Sequence, residues 1–262
     1  MNALHAALWS ETLKARRSWV ARGISIAFLA LPLMDALFMV ILKDPERARA
    51  LGLISLKAQL QGGQADWPTL FGIYLQGTAI GGAMIFAFMA AWVYGREFSD
   101  HTAKELLAIP APRAAIVAAK LIVVAVWMLT LVVLGFAVAV GLGFAVQVPG
   151  WSPALAWASA GSALLVALLL YMLMPLIALL ACMGHGYLLP LGFALATMAL
   201  AQIVAILGWG DWFPWALPAL AAGAAGPEAA RLGWHSYVIM LVVLVGGLAG
   251  AFLWWQRADQ AR

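Results

Sequence analysis

The chain has 262 residues, 65% of them hydrophobic and 10% charged, with a mean hydropathy of +0.97 and a formal net charge of +4. A soluble domain of this length must keep most of its surface wet, so the composition excludes one and points to a single-domain integral membrane protein, residues 1–262. The small positive excess lies in loops beside apolar runs, which suits membrane orientation and argues against nucleic-acid binding; the single Cys182 excludes an internal disulfide and a cysteine-rich metal cluster.

Residues 1–19 read as an amphipathic helix, with Leu4, Leu8 and Thr12 on one row and Lys14, Arg16 and Arg17 gathered before the first apolar run. Such a helix lies in the interface with its basic residues toward anionic lipid. Basic residues ahead of an apolar run also describe a signal peptide. Here the tail is long, contains Glu11, and leads into a run that continues past Pro32 to Leu42, so the first span is expected to be an uncleaved anchor. About 20 apolar residues cross a bilayer, and six stretches qualify, at about 20–42, 69–94, 114–146, 153–182, 186–208 and 236–256. The fold class is therefore all-α with six transmembrane helices. The third and fourth spans exceed the required length and should tilt, kink or protrude. Only Cys182-Met183-Gly184-His185-Gly186 separates the fourth from the fifth, and its glycines would allow a tight reversal. With six spans, ten Lys and Arg residues fall on the side of the termini and five on the other, which places both termini in the cytoplasm.

Asp35 is the one carboxylate well inside a span, about 20 Å from its start at 1.5 Å per residue. An ionised carboxylate in lipid is costly, so Asp35 must face protein, water or a partner. Three readings stay open: a site for a cation or a cationic part of a substrate, a protonated group hydrogen-bonded to a neighbouring helix, or a group close to the outer headgroups. On the outer side, residues 43–68 form a charged loop, and residues 209–218 carry Trp212, Phe213 and Trp215 among their aromatics. Tryptophans and prolines at a span's mouth describe an interfacial anchor; a re-entrant lid or gate is the alternative. The four histidines are scattered, and Cys182 with His185 is too weak a pairing for a metal site. Gly81-Gly82, Gly141 and Gly143, and Gly246-Gly247 with Gly250 read as close helix packing, Gly246 and Gly250 being at G-x-x-x-G spacing.

The most informative stretch runs from Gly95 to Arg113 between the second and third spans. Ser99 or Asp100 can cap a short helix, Pro110 and Pro112 would end it, and Phe98, Leu106 and Leu107 would give it an apolar edge. Arg96-Glu97-Phe98, Asp100, Thr102, Leu106-Leu107, Pro110, Arg113 and then Lys120 entering the next span resemble the first cytoplasmic loop of type-2 ABC exporter permeases, in particular the small antibiotic- and lantibiotic-immunity type. His101 stands where many members have Gly.

The resemblance implies that the 95–113 loop is a coupling helix on which a separate ATPase pushes, with Arg96, Glu97, Phe98, Asp100, Thr102, Lys104, Glu105 and Leu107 as the contact set. It implies that the N-terminal helix is the elbow helix, with Glu11, Lys14 and Arg17 fitting that segment. It further implies two ATPase copies, a second permease identical or homologous to this one, ATP and Mg held on the ATPase, and a bacterial or archaeal cytoplasmic membrane. No G-x-x-x-x-G-K-[ST] occurs, so the chain itself lacks the phosphate cradle an ATPase of that type needs, and it binds no cofactor on this reading. The cargo would be hydrophobic or amphiphilic, a peptide antibiotic or a lipid, passing between spans 2 and 5 of two copies. The competing class is an ion-coupled carrier or membrane-embedded enzyme that uses Asp35.

Overall fold

The computed structural model describes residues 3–44, 64–100, 102, 112–226 and 232–257. Within them the chain is helical, with no strand among the described residues. A bilayer offers no water to bond backbone N–H and C=O groups, and a helix satisfies them within the segment. Among the described residues six helical stretches are long and apolar enough to cross a membrane: Trp19–Lys43, Trp67–Ser99, Arg113–Ala145, Pro153–Met183, Leu188–Ile206 and Trp234–Arg257. They are spans 1 to 6 below.

Helix α1 (Ala3–Arg17) precedes them. It stops at Ser18, whose extended backbone turns the chain and whose Oγ accepts the N–H groups of Val20 and Ala21, starting α2 (Trp19–Leu29). Span 1 is broken between α2 and α3 (Leu31–Lys43), where Pro32 occupies the first turn of the new helix. Asp66 Oδ1 caps α4 (Trp67–Gly77) through Thr69 N at 2.9 Å. Span 2 then widens into a π-turn, Thr78–Gly82, before α5 (Ala83–Ser99). Spans 3 and 4 are the single helices α6 (Arg113–Ala145) and α7 (Pro153–Met183). Span 5 is α8 (Leu188–Ile206), a short buried helix α9 (Leu217–Ala221) follows it, and span 6 is α10 (Trp234–Arg257).

Three local expectations are corrected. Gly95 to Ser99 do not begin the loop; they form the last turns of span 2, and the chain turns only after Ser99, where Asp100 N donates to Arg96 O and Thr102 N to Glu97 O. The reversal between spans 4 and 5 puts positive φ on His185 (49°), not on a glycine; Gly184 is needed because a Cβ there would come within 2.7 Å of Leu189 Cβ. Of the three span 6 glycines expected to pack, Gly247 and Gly250 do and Gly246 does not. A Cβ on Gly247 would meet Leu176 N at 2.6 Å, whereas Gly246 faces nothing within 4 Å.

Span 4 is the hub, packing on spans 2, 3, 5 and 6 and on α9. Around it the core carries Phe28 stacked on Phe86 (4.9 Å between centroids), with Gly82 of the π-turn making room for the Phe28 ring. Span 2, expected beside a seam with a second copy, is the most enclosed of the six, and span 5 is the least. A smaller core at the end of the bundle away from α1 gathers Met39, Trp67, Leu70, Phe71 and Val148.

Candidate functional site

Where span 2 ends, three separate segments bring charge together. Glu11 lies on α1, Arg96 and Glu97 on the last turns of α5, and Lys120 two turns into α6. Lys120 is 0% exposed. An ammonium held away from water needs its donors filled, and its Nζ donates to Val93 O (2.7 Å), Glu97 Oε1 (2.6 Å) and Glu11 Oε2 (3.1 Å). Arg96 Nη2 donates to Glu11 Oε2, its Nε to Glu97 Oε1 (3.4 Å), and its guanidinium lies over the Trp92 ring at 4.6 Å. Lys14 closes the cluster from α1, reaching Glu11 Oε1 at 2.8 Å and Glu97 Oε1 at 3.3 Å.

Glu11 and Glu97 are each 3% exposed. Burial alone would raise the Glu11 pKa; Lys120, Arg96 and Lys14 outweigh it and bring it from 4.5 down to about 2. Glu97 Oε2 is buried with no hydrogen-bond partner. Beside the cluster opens a groove of about 590 Å³ lined by Lys14, Arg17, Arg96, Glu97, Asp100 and Thr102, among others.

The residues singled out in the sequence therefore separate into groups. Arg96, Glu97, Glu11 and Lys14 meet in one ionic cluster, although the sequence presents them as parts of two unconnected segments. Arg17, Asp100 and Thr102 line the groove next to it. Glu97 was expected to face a partner directly; its carboxylate is turned inward onto Lys120 instead. Phe98 was expected to be an apolar plug presented outward. It is half-buried in the bundle, edge-on to His185 (5.3 Å) and Trp254 (5.5 Å). Lys104, Glu105 and Leu107 lie outside the described residues, as does the short helix expected there. Past that gap, Arg113 Nη1 donates to Trp255 O (3.1 Å) and Gln256 O (3.2 Å), so a cation sits on the C-terminal carbonyls of span 6.

Two other sites stand apart from the cluster. Asp35 is 6% exposed and packed toward span 2; its Oδ2 has no hydrogen-bond partner, nor has the hydroxyl of Thr78 in the π-turn. A Cβ on Gly77 would lie 3.8 Å from Asp35 Oδ1. Between spans 5 and 6 Trp212 stacks on His235 (4.4 Å), Asp211 Oδ2 lies 3.0 Å from His235 Nε2, and Ser236 Oγ donates to Asp211 O at 2.8 Å. Phe213 and Trp215 are half-buried, Trp215 against Phe193 of span 5. The segment thus dips inward at Leu217 on α9 and is latched to the start of span 6.

A family model described as ABC-2 family transporter protein matches residues 7–200, which takes in α1, the whole cluster and spans 1 to 4. The chain belongs to the ABC-2 transporter family. It is a multi-pass transmembrane subunit of an ABC transporter, a permease that works with an ABC ATPase and not an enzyme in itself. Over 179 residues it is 22% identical to a bacitracin transport permease protein, BcrB, of Bacillus licheniformis, covering 68% of this chain and 85% of the relative. No solved structure matches it.

The sequence marks Lys120 only through the resemblance. The signal that could have found the cluster is its setting, a lone cation within residues 115–125, because an ammonium in an apolar run demands partners from elsewhere in the chain.

Proposed function

We propose that this ABC-2 permease is the membrane half of an ATP-driven exporter for a hydrophobic or amphiphilic cargo, and that force enters through the 95–113 loop. The observation that carries this reading is the ionic cluster at the loop's base. Lys120 and Glu97 join spans 2 and 3, and Glu11 with Lys14 fastens α1 to both. A push on the loop would then move α1 and the inner ends of spans 2 and 3 as one body, a rigid shift of the kind that alternates access. In this role α1 is the elbow helix. Asp100, Thr102 and Arg17, at the mouth of the groove, take over as surface contacts for the ATPase, while Arg96 and Glu97 transmit from behind. ATP and Mg belong to the ATPase, two copies of which would serve two permeases, identical or homologous, in a bacterial or archaeal cytoplasmic membrane with both termini inside. The exposed face of span 5 offers the seam. That a relative is named a bacitracin permease supports a peptide antibiotic as cargo.

The test is purification from native membranes in mild detergent. A soluble ATPase should come along stoichiometrically, and Asp100→Ala with Thr102→Ala should weaken its retention. Glu97→Gln should leave the ATPase bound but lower cargo-stimulated hydrolysis. A chain that purifies alone under every mild condition refutes the reading.

One observation favours an ion-coupled carrier: Asp35 Oδ2 and the Thr78 hydroxyl are buried side groups without partners at a π-turn, a distortion frequent at functional sites. Transport that persists in ATP-depleted vesicles and disappears in Asp35→Asn would establish it.

A further inference from the structure

A groove of about 550 Å³ lies under the second half of α1, on the side away from the polar groove. Its walls are Leu8, Thr12 and Ala15 of α1, residues 21–26 of span 1 and residues 122–127 of span 3. Ile26, Ile122 and Val126 are exposed, so the groove opens on the lipid-facing surface between these spans. At its floor Trp127 Nε1 donates to Ser25 Oγ at 3.1 Å, which leaves an apolar interior with that polar pair satisfied. At its mouth stand Arg16 and Arg22, the latter stacked on Trp19 at 4.5 Å. Among the described residues neither arginine has a carboxylate within ion-pair distance, because Glu11 is spent on Lys14, Arg96 and Lys120.

An apolar slot open to the membrane, ending at two cations at headgroup level, matches one kind of molecule. We propose that the groove holds one acidic phospholipid, its phosphate between Arg16 and Arg22 and an acyl chain along residues 21–26 and 122–127. The lipid completes the seat of α1: the ionic cluster holds the helix on one side, and the lipid fills the space on the other. Anionic lipid therefore sets how stiffly α1 follows span 3. The proposal requires only that the bundle sit in a bilayer with α1 at an interface, and holds whichever cargo is carried.

The experiment is native mass spectrometry of the purified full chain released from nanodiscs containing phosphatidylcholine and phosphatidylglycerol. The wild type should retain one phosphatidylglycerol in preference to phosphatidylcholine. Each arginine contributes about a factor of five, so Arg16→Gln/Arg22→Gln should weaken retention roughly twenty-five-fold. Both side chains are exposed, so folding is not at stake. Arg17→Gln, on the same helix but beside the other groove, should retain lipid like the wild type. Ala15→Phe keeps both arginines but fills the slot, and should also lose the lipid. Equal retention of phosphatidylcholine overturns the proposal. So does an unchanged double variant, or a loss in Arg17→Gln as large as in the double variant, since surface charge in general would then hold the lipid. Retention by Ala15→Phe, with the wild-type melting midpoint, overturns the placement of the acyl chain.

Discussion

Lys120→Met tests the cluster most directly, because methionine keeps nearly the length of the side chain and removes only the ammonium. In the wild type Nζ makes the shortest bond to Glu97 (2.6 Å) and also holds Glu11 and Val93 O. Glu11 would keep Arg96 and Lys14, but Glu97 would keep only the longer contacts at 3.3 and 3.4 Å, with its Oε2 already unpartnered. Removing one member of a buried ion network leaves the other charge uncompensated and costs about 3–5 kcal/mol. For a chain of this size that corresponds to a fall in the thermal midpoint of roughly 6 to 20 °C, read from tryptophan fluorescence in mild detergent. The single Glu97→Gln should also destabilise, since Lys120 loses its best acceptor. The double variant Lys120→Met/Glu97→Gln should then be less damaging than the sum of the two, by about 2 kcal/mol, because the unpaired carboxylate is gone. Strict additivity, or a Lys120→Met midpoint equal to the wild type's, would refute the claim that these residues hold spans 2 and 3 together.

The remaining predictions concern three other places. Glu11 has its pKa lowered from 4.5 to about 2, so it contributes stability that is fully present above pH 4.5 and lost as pH falls through about 2. That contribution is about 3 kcal/mol, and Glu11→Gln should flatten the fall in thermal midpoint between pH 5 and pH 2. In span 6, Gly247→Ala should destabilise by about 1–3 kcal/mol, because its Cβ would strike the backbone of span 4 at Leu176 and Pro175. Gly246→Ala, facing open space, should instead be neutral or stabilising by up to about 1 kcal/mol, and denaturant melts of the pair distinguish this register from the alternative. Between spans 5 and 6, His235→Ala removes both the Asp211 bond and the Trp212 stack. Hydrogen exchange in residues 209–222 should speed up by about tenfold, the equivalent of about 1.4 kcal/mol; unchanged exchange would show that the latch does not hold this segment.

What the sequence made legible was whatever depends on hydropathy over a long window. Six spans could be read because each must be apolar for about 20 residues, whatever it packs against. The N-terminal helix was legible for the same kind of reason, its basic residues gathering at one end. Contacts between distant segments were not legible. Glu11 and Lys120 are 109 positions apart, and nothing in either neighbourhood names the other. Phe98 reads as outward-facing because it sits beside charges, but span 2 continues as a helix through Ser99 and its rotation carries Phe98 inward onto His185 and Trp254. Which of Gly246, Gly247 and Gly250 face span 4 was likewise a matter of rotation. G-x-x-x-G spacing marks a packing face, and a helix one residue out of the assumed phase presents a different one. The π-turn at Thr78–Gly82 has no sequence signature beyond its two glycines, which read only as packing residues from the sequence and make room for Leu31 and Phe28 in the structure.

The two ends of the 95–113 loop are anchored differently, and this bears on how a push would travel. The entering end is fixed through buried charge to α1 and span 3. The leaving end is fixed by Arg113 to the last carbonyls of span 6. Span 6 packs tightly on span 4 through Gly247 and Gly250, span 2 packs on span 4 as well and brings Gly95 against the Gly186 backbone, and Tyr171 of span 4 donates to Leu121 O of span 3 at 3.4 Å. Displacement of the loop would therefore act at two points at once: on α1 and spans 2 and 3 through the ionic cluster, and on span 6 through Arg113. Phe98 lies at the junction of spans 2 and 6, rooted on span 2 and wedged between His185 and Trp254. If span 6 shifts against span 2 during transport, this ring has to slide or rotate at each cycle. Phe98→Ala should then change cargo-stimulated hydrolysis in the ATPase complex while leaving ATPase retention intact, because the ring touches the inside of the bundle and not the groove. Loss of retention in Phe98→Ala, with the fold preserved, would instead place Phe98 on the ATPase and remove the junction from the mechanism.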